Sequence, residues 1–196
     1  MNLQTFIKTI ALSLSLAGCG SSCNPGSETS DTNNKEPSLV TWDECGYFQE
    51  DHMCNIKLTN HDGEEFELYD HIGSPIVIDF STMWCGYCQV AAGTIPDIAS
   101  QYEDEGLEFV TILIDDASGL PVDLEDLQIW ADVFELQDHY VLSGSREMID
   151  PEGLEGPPIS SWPSFLFIDR NMVIKSTLRG YSEYYIHDMI QNTILE

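Results

Sequence analysis

Residues 74–82, SPIVIDFST, form a nearly continuous β-branched and apolar run that passes directly into Met83-Trp84-Cys85-Gly86-Tyr87-Cys88. Such a run is the pattern of a strand covered on both faces, so structure must lie above and below it. Beyond Cys85, apolar or small residues recur at Ala91, Ile95, Ile98 and Tyr102. That spacing predicts an amphipathic helix, kinked at Pro96. Two cysteines therefore stand where a central strand ends and a helix begins.

The flanking sequence extends the pattern. NIKLTN and EEFELYD, on either side of His61-Asp62-Gly63, alternate apolar and polar residues and predict an N-terminal β-hairpin. LEFVTILID (107–115) reads as a second buried strand, and Leu124, Leu127, Ala131 and Phe134 repeat the helical spacing. A short strand is expected around HYVLS. SFLFID (164–169) and MVIKSTL (172–178) then flank Arg170-Asn171 as a second hairpin, and Ser182 to Leu195 reads as a closing helix. Strands alternating with helices and ending in an antiparallel pair predict an α/β fold, a mixed central β-sheet flanked by helices.

The beginning of the chain is different in kind. The apolar run Ile10–Leu16 follows Lys8 and is too short for a bilayer core of roughly 30 Å, so residues 1–18 read as a targeting segment. Leu16-Ala17-Gly18-Cys19 resembles the bacterial lipobox, which implies a diacylated Cys19 as the mature N-terminus, where more than one acyl chain makes anchoring stable. Gly20, rather than Asp, favours the outer membrane over the inner by analogy with Gram-negative sorting. An ordinary cleaved signal peptide is the alternative. Residues 19–38, with no aliphatic or aromatic side chain after Cys19, read as a flexible tether of ~25 Å reach. Residues 39–196 hold enough apolar residues for one core.

With 7 basic and 34 acidic side chains the formal net charge is −27, which argues against nucleic acid or an anionic lipid surface as direct ligands. A solvated acidic surface accounts for it, and a basic protein partner is the sharper reading.

Cys85 and Cys88 admit three chemistries. Zinc normally needs four ligands at close spacing, and the sequence offers no second Cys-x-x-C and no paired histidines, so no metal site is expected. Copper is harder to exclude, because His52 and Cys54 lie two apart. A purely structural bridge across a two-residue spacer gains little loop-closure stabilisation. Redox chemistry fits best, because a helix N-terminus favours a thiolate over a thiol. Cys85 is then the exposed attacking sulfur and Cys88, a turn further in, the buried thiol that resolves a mixed disulfide. Asp79, six residues before Cys85 in IVIDF, would be costly to bury ionised, and as a raised-pKa carboxyl it could take and return the Cys88 proton. An Asp reaching solvent at the strand end is the plain alternative. Of the other cysteines, Cys45 is expected to pair with Cys54 as a structural disulfide, a second redox pair being the alternative, and Cys23 is left alone.

The strand, Trp84-Cys85-Gly86-Tyr87-Cys88 and the following helix resemble the thioredoxin-like fold. With the N-terminal hairpin, GLEFVTILID, SWPSFLFIDRNMVI and the lipoprotein tether, residues from about 40 to 196 resemble the membrane-anchored TlpA/ResA-type thiol-disulfide oxidoreductases. The resemblance implies a cis-proline at Pro163, exposing the Trp162 backbone to a substrate strand, with Trp84, Gly86 and Tyr87 as further substrate contacts. Gly86-Tyr87 is similar to the dipeptide of periplasmic disulfide isomerases. Ala91 and Gly93 stand where the family commonly has Glu and Pro, so no role of that Glu carries over. Residues 144–160 form a long loop, either shaping substrate access or a variable insertion.

The expectation is a lipid-anchored enzyme of the bacterial cell envelope facing the periplasm. It would exchange electrons with protein thiols and disulfides, chiefly as a reductase, with an electron donor or acceptor protein to reset it. No cofactor and no nucleic acid are expected, and a monomer suffices. The alternatives are an isomerase or oxidant, or a non-catalytic lipoprotein binding copper through its thiols.

Overall fold

The computed structural model describes residues 40–195. The targeting segment 1–18, the tether 19–38, Cys19 and Cys23 lie outside the described residues. Strands β1 (Lys57–Thr59) and β2 (Glu65–Glu67) pair antiparallel with Leu58 opposite Phe66. The Asn60 side chain closes their turn by accepting from the N–H groups of Asp62 and Glu64, and Gly63 supplies the positive φ that the turn needs.

The main sheet has five strands in the order β5-β4-β3-β6-β7: Tyr140–Ser143, Glu108–Leu113, Ile76–Ser81, Ser164–Ile168 and Ile174–Arg179. β3, β4 and β5 run parallel, and β6 and β7 are antiparallel to them. Every residue of β3 is buried, as expected of a strand covered on both sides. Period-two alternation divides its side chains. Val77 faces the helices α1 (Gly86–Ala92), α2 (Ile95–Gln101), α3 (Leu124–Val133) and α4 (Glu183–Met189), whose apolar residues build one core with Phe109, Val141, Phe165 and Phe167. Ile76, Ile78 and Phe80 face a second core with no α-helix in it. Its cover is the N-terminal segment, through Met53, Ile56, Phe66 and the 3-10 turn at Leu68–His71, together with Met148, Ile149 and Ile159 of the 144–162 segment.

Three elements depart from the sequence pattern. The helix expected to kink at Pro96 is two helices, broken at Gly93-Thr94, with Pro96 in the first turn of α2, where its missing N–H costs nothing. In α3 Leu124 is exposed and Trp130 takes its place beside Leu127 and Ala131. The closing helix ends as α4 at Met189 and continues as a π turn over Ile190–Ile194.

Cys45 and Cys54 are bonded, with Cα atoms 4.8 Å apart. The loop that they close hydrogen-bonds through Glu50, Asp51 and Met53 to Met172 and Ile174, at the β6–β7 turn. That turn is the end of β6 remote from Pro163. No helix among the described residues is long and apolar enough to cross a membrane.

Candidate active site

β3 delivers the chain to the C-terminal edge of the parallel strands. There Met83 N–H donates to the Asp115 carbonyl and Cys85 N–H to that of Thr82, turning the backbone into α1. Cys85 is the N-cap of α1, and its Sγ accepts the N–H of Cys88 at 3.2 Å. The helix start therefore supplies a donor to this sulfur, as the sequence leads one to expect. Both cysteines are free thiols in this structure. Cys88 is fully buried, but Cys85 is only 8 % exposed, which corrects the expectation of an exposed sulfur. Its Sγ turns to the helix start to accept the Cys88 N–H, and Cys85 belongs to the helix-side core, against which Met83 and Trp162 also pack. The residues that rise to the surface here are Trp84, 47 % exposed, and Tyr87, 72 % exposed, with Gly86 between them.

Asp79 lies wholly inside, not at a solvent-reaching strand end. Ser81 Oγ is 2.8 Å from both of its carboxyl oxygens, Thr111 stands opposite it in the β3–β4 register, and both hydroxyl side chains favour the ionised form. Burial outweighs these donors and raises the Asp79 pKa to about 7. The Cys88 thiol is pushed well up, first by burial, then by its hydrogen bond with Cys85 and by the Asp79 charge, while donors from the Thr82 backbone and the Ser81 side chain act the other way. The structure thus brings Cys85, Cys88 and Asp79 together. Ser81 belongs with them and escaped sequence reasoning, although a residue two places along a strand from Asp79 must share its face.

Across from the cysteines, the Trp162–Pro163 peptide bond is cis, Pro163 is buried and Trp162 is half-buried. The Pro163 carbonyl accepts from Gly180 N–H. A second constellation was invisible in the sequence. The Trp84 indole N–H donates to Asp115 at 3.0 Å, and Arg146, at the start of the 144–160 loop, forms a two-pronged ion pair with the same buried carboxylate. The residues involved lie 31 positions apart, so only the folded path of the loop reveals it.

Among the described residues no group of three or more His, Cys, Asp or Glu side chains is placed to hold a metal ion. A cleft of about 400 Å³ between Pro96, Leu107, Glu108 and His139 lies at the start of β4, the opposite end of the sheet from Cys85, and shares no residue with the site.

The profile of the AhpC/TSA family matches residues 50–177. No curated protein matches the sequence. Among solved structures, the thioredoxin domain of a thiol-disulfide oxidoreductase from Bacteroides vulgatus is 17% identical, with a TM-score of 0.59 over 74% of this chain and 99% of that one. A thiol:disulfide interchange protein of the thioredoxin family from Chlorobium tepidum is 16% identical, with a TM-score of 0.57 over 76% and 96% of the two chains. The exposed lipoprotein thioredoxin of Streptococcus pneumoniae is 22% identical, with a TM-score of 0.56 over 70% and 98%. At these identities the likeness is one of fold, and the fold is thioredoxin-like.

Proposed function

The chain belongs to the AhpC/TSA family, and from that premise we propose that it is a thiol-disulfide oxidoreductase working through Cys85 and Cys88. One observation carries the reading: a helix-capping sulfur on Cys85, with a buried thiol three residues on and a buried carboxyl beneath them. In the reducing direction Cys85, as thiolate, attacks a substrate disulfide, forming a mixed disulfide and releasing the first substrate thiolate. Cys88 gives up its proton towards Asp79 and attacks the Cys85 sulfur. The Cys85–Cys88 bond forms, the bond to substrate breaks, and the second substrate thiolate leaves. Two electrons have passed to the substrate, and a partner dithiol must restore the pair. Trp84, Gly86, Tyr87, Trp162 and Pro163 surround the cysteines and are the surface on which a protein substrate would lie. Cys45–Cys54 is a structural bridge, and no metal or organic cofactor enters the cycle.

Residues 39–196 act as one domain, exported by the signal 1–18 and held by the tether 19–38, with Cys19 lipidated and the domain facing the periplasm, from the outer membrane in preference to the inner. The pneumococcal neighbour, named as an exposed lipoprotein, supports an extracytoplasmic setting. Radiolabelled palmitate should enter the wild-type protein and not Cys19→Ser.

The measurement that tests the activity is the reduction potential of the Cys85–Cys88 pair, read by alkylation after equilibration against thiol buffers. A value near ~−270 mV supports a reductase, and one near ~−120 to −180 mV an oxidant or isomerase. A pair that never closes to a disulfide would sink the oxidoreductase reading and favour the thiol-binding one.

A further inference from the structure

We propose that Arg146 is a positioning residue for substrate docking: through the buried Asp115 carboxylate it fixes the Trp84 indole beside Cys85, and so makes the 144–160 loop part of the surface that selects a protein substrate. The inference rests on the dithiol cycle proposed above and deepens it from the reacting sulfurs to the choice of substrate.

Asp115 holds the two residues that precede Cys85. Its carbonyl accepts the Met83 N–H, and its carboxylate accepts the Trp84 indole N–H at 3.0 Å. Trp84 belongs to neither core and stacks on no other ring among the described residues, so this hydrogen bond is the contact that orients it. The carboxylate is buried, and an ionised group there needs a partner of opposite charge. Arg146 supplies it. Its Nε donates to Oδ1 at 2.9 Å and its Nη2 to Oδ2, the oxygen that also takes the indole N–H. A fork on both oxygens fixes the plane of the carboxylate, and with it the place where the indole finds its acceptor.

Arg146 is itself held by the loop. Gly144 N–H donates to the Leu113 carbonyl, and a Cβ at Gly144 would lie 2.5 Å from Ile112 and 2.8 Å from Ile114, so the chain leaves β5 pressed against β4. Arg146 opens the 3-10 turn that ends at Met148, and Met148 and Ile149 pack on the core face that has no α-helix. The same segment ends at Trp162 and its cis peptide bond to Pro163, across from the cysteines. One loop therefore reaches both sides of the Cys85 surface.

Trp84 remains 47 % exposed although its N–H is committed to a buried acceptor. A ring held in place before the substrate arrives loses little freedom when a polypeptide lies on it. A ring free to turn must first be immobilised, at a cost of about two- to tenfold in affinity. That cost falls on a substrate whose flanking chain covers Trp84, and not on a small disulfide that reaches only the sulfur.

The test reacts the fully reduced, full-length protein with two disulfides. One joins a fluorophore-labelled peptide to a quencher-labelled peptide, and the other is a small symmetric aryl disulfide. The readout is the ratio of the two second-order rate constants, peptide over aryl. A general loss of folded protein or of Cys85 reactivity lowers both constants and cancels in the ratio. In Arg146→Gln the ratio should fall by about two- to tenfold, and in Trp84→Phe, which keeps a ring without the indole N–H, by a similar factor. The double variant should fall no further than either single one, because both break the same connection. An unchanged ratio in Arg146→Gln, effects that multiply in the double variant, or a wild-type protein that opens the aryl disulfide alone overturns the positioning role and leaves the cysteine cycle standing. A wild-type protein that opens neither disulfide overturns the cycle, and the positioning role with it.

Discussion

Asp79 has no water to ionise into, and its proton affinity, raised by burial from 3.8 to about 7, ties stability to pH. The folded pKa lies above the unfolded one, so the folded state holds that proton more tightly. The resulting stabilisation is complete below about pH 4, declines between about 4 and 7, and is absent above that range. Asp79→Asn keeps the shape and an acceptor but cannot ionise. It should therefore raise the melting temperature at pH 8, by an amount corresponding to roughly a few kcal/mol, and change it little at pH 4. Melts at the two pH values check this, and an equal gain at both would count against an ionised Asp79. At this scale the sequence was informative where chemistry and spacing coincide. Cys85 and Cys88 declare themselves, and Asp79 does so as a lone charge in an apolar strand. Ser81 does not, because a hydroxyl in a strand is too common to carry a signal until its neighbours are known. Cys85 is buried because its sulfur caps the helix and turns back into the helix start, a local geometry that residue type alone does not fix.

Among elements, the 144–162 segment crosses from the edge strand β5 to β6 and covers the core face that lacks helices. Arg146 pins its start to Asp115 and through it to Trp84, while Gly153, at φ 73°, lets the backbone pass so close to Phe48 that a Cβ would lie 2.4 Å from the ring. Arg146→Gln leaves the buried Asp115 carboxylate without its cation. It should lower the melting temperature, red-shift Trp84 emission and speed thermolysin cleavage near the exposed Leu154. Unchanged proteolysis would show that the segment is held by its apolar contacts alone. The Cys45–Cys54 bridge closes a loop with a sequence separation of 9, for which the chain-entropy model gives roughly 2–3 kcal/mol. The double variant Cys45→Ser, Cys54→Ser should lose about that much in urea titration and keep the resolution kinetics of Cys88. The sequence showed the length of the 144–160 loop but not its path, since a path is set by what the sheet leaves uncovered. The strands were legible because β3, β4 and β6 are apolar on both faces, whereas the break between α1 and α2 turns on Gly93-Thr94, a weaker cue than Pro96.

For the whole molecule, charge and architecture act separately. Thirty-four acidic residues, set against only seven basic ones, repel one another, and few ion pairs among the described residues offset them. Added salt should therefore stabilise the protein. Between about 20 mM and 500 mM sodium chloride the melting temperature should rise by several °C, taking roughly 2–4 °C per kcal/mol for a chain of this size. A fall would mean that the few ion pairs outweigh the general repulsion. Composition made the acidity plain, but not the unequal cover of the two sheet faces, which depends on where the irregular segments settle. The position of the Cys45–Cys54 loop has its own consequence. It sits at the β6–β7 turn, while Cys85 and Cys88 lie at the other end of β6, a strand of five residues and so ~17 Å long. Thiol exchange needs sulfur to touch sulfur, and within one folded molecule β6 acts as an insulator between the two pairs. A molecule with one bridge made and one pair open is therefore a lasting composition, able to carry electrons at one end while its own brace stays closed.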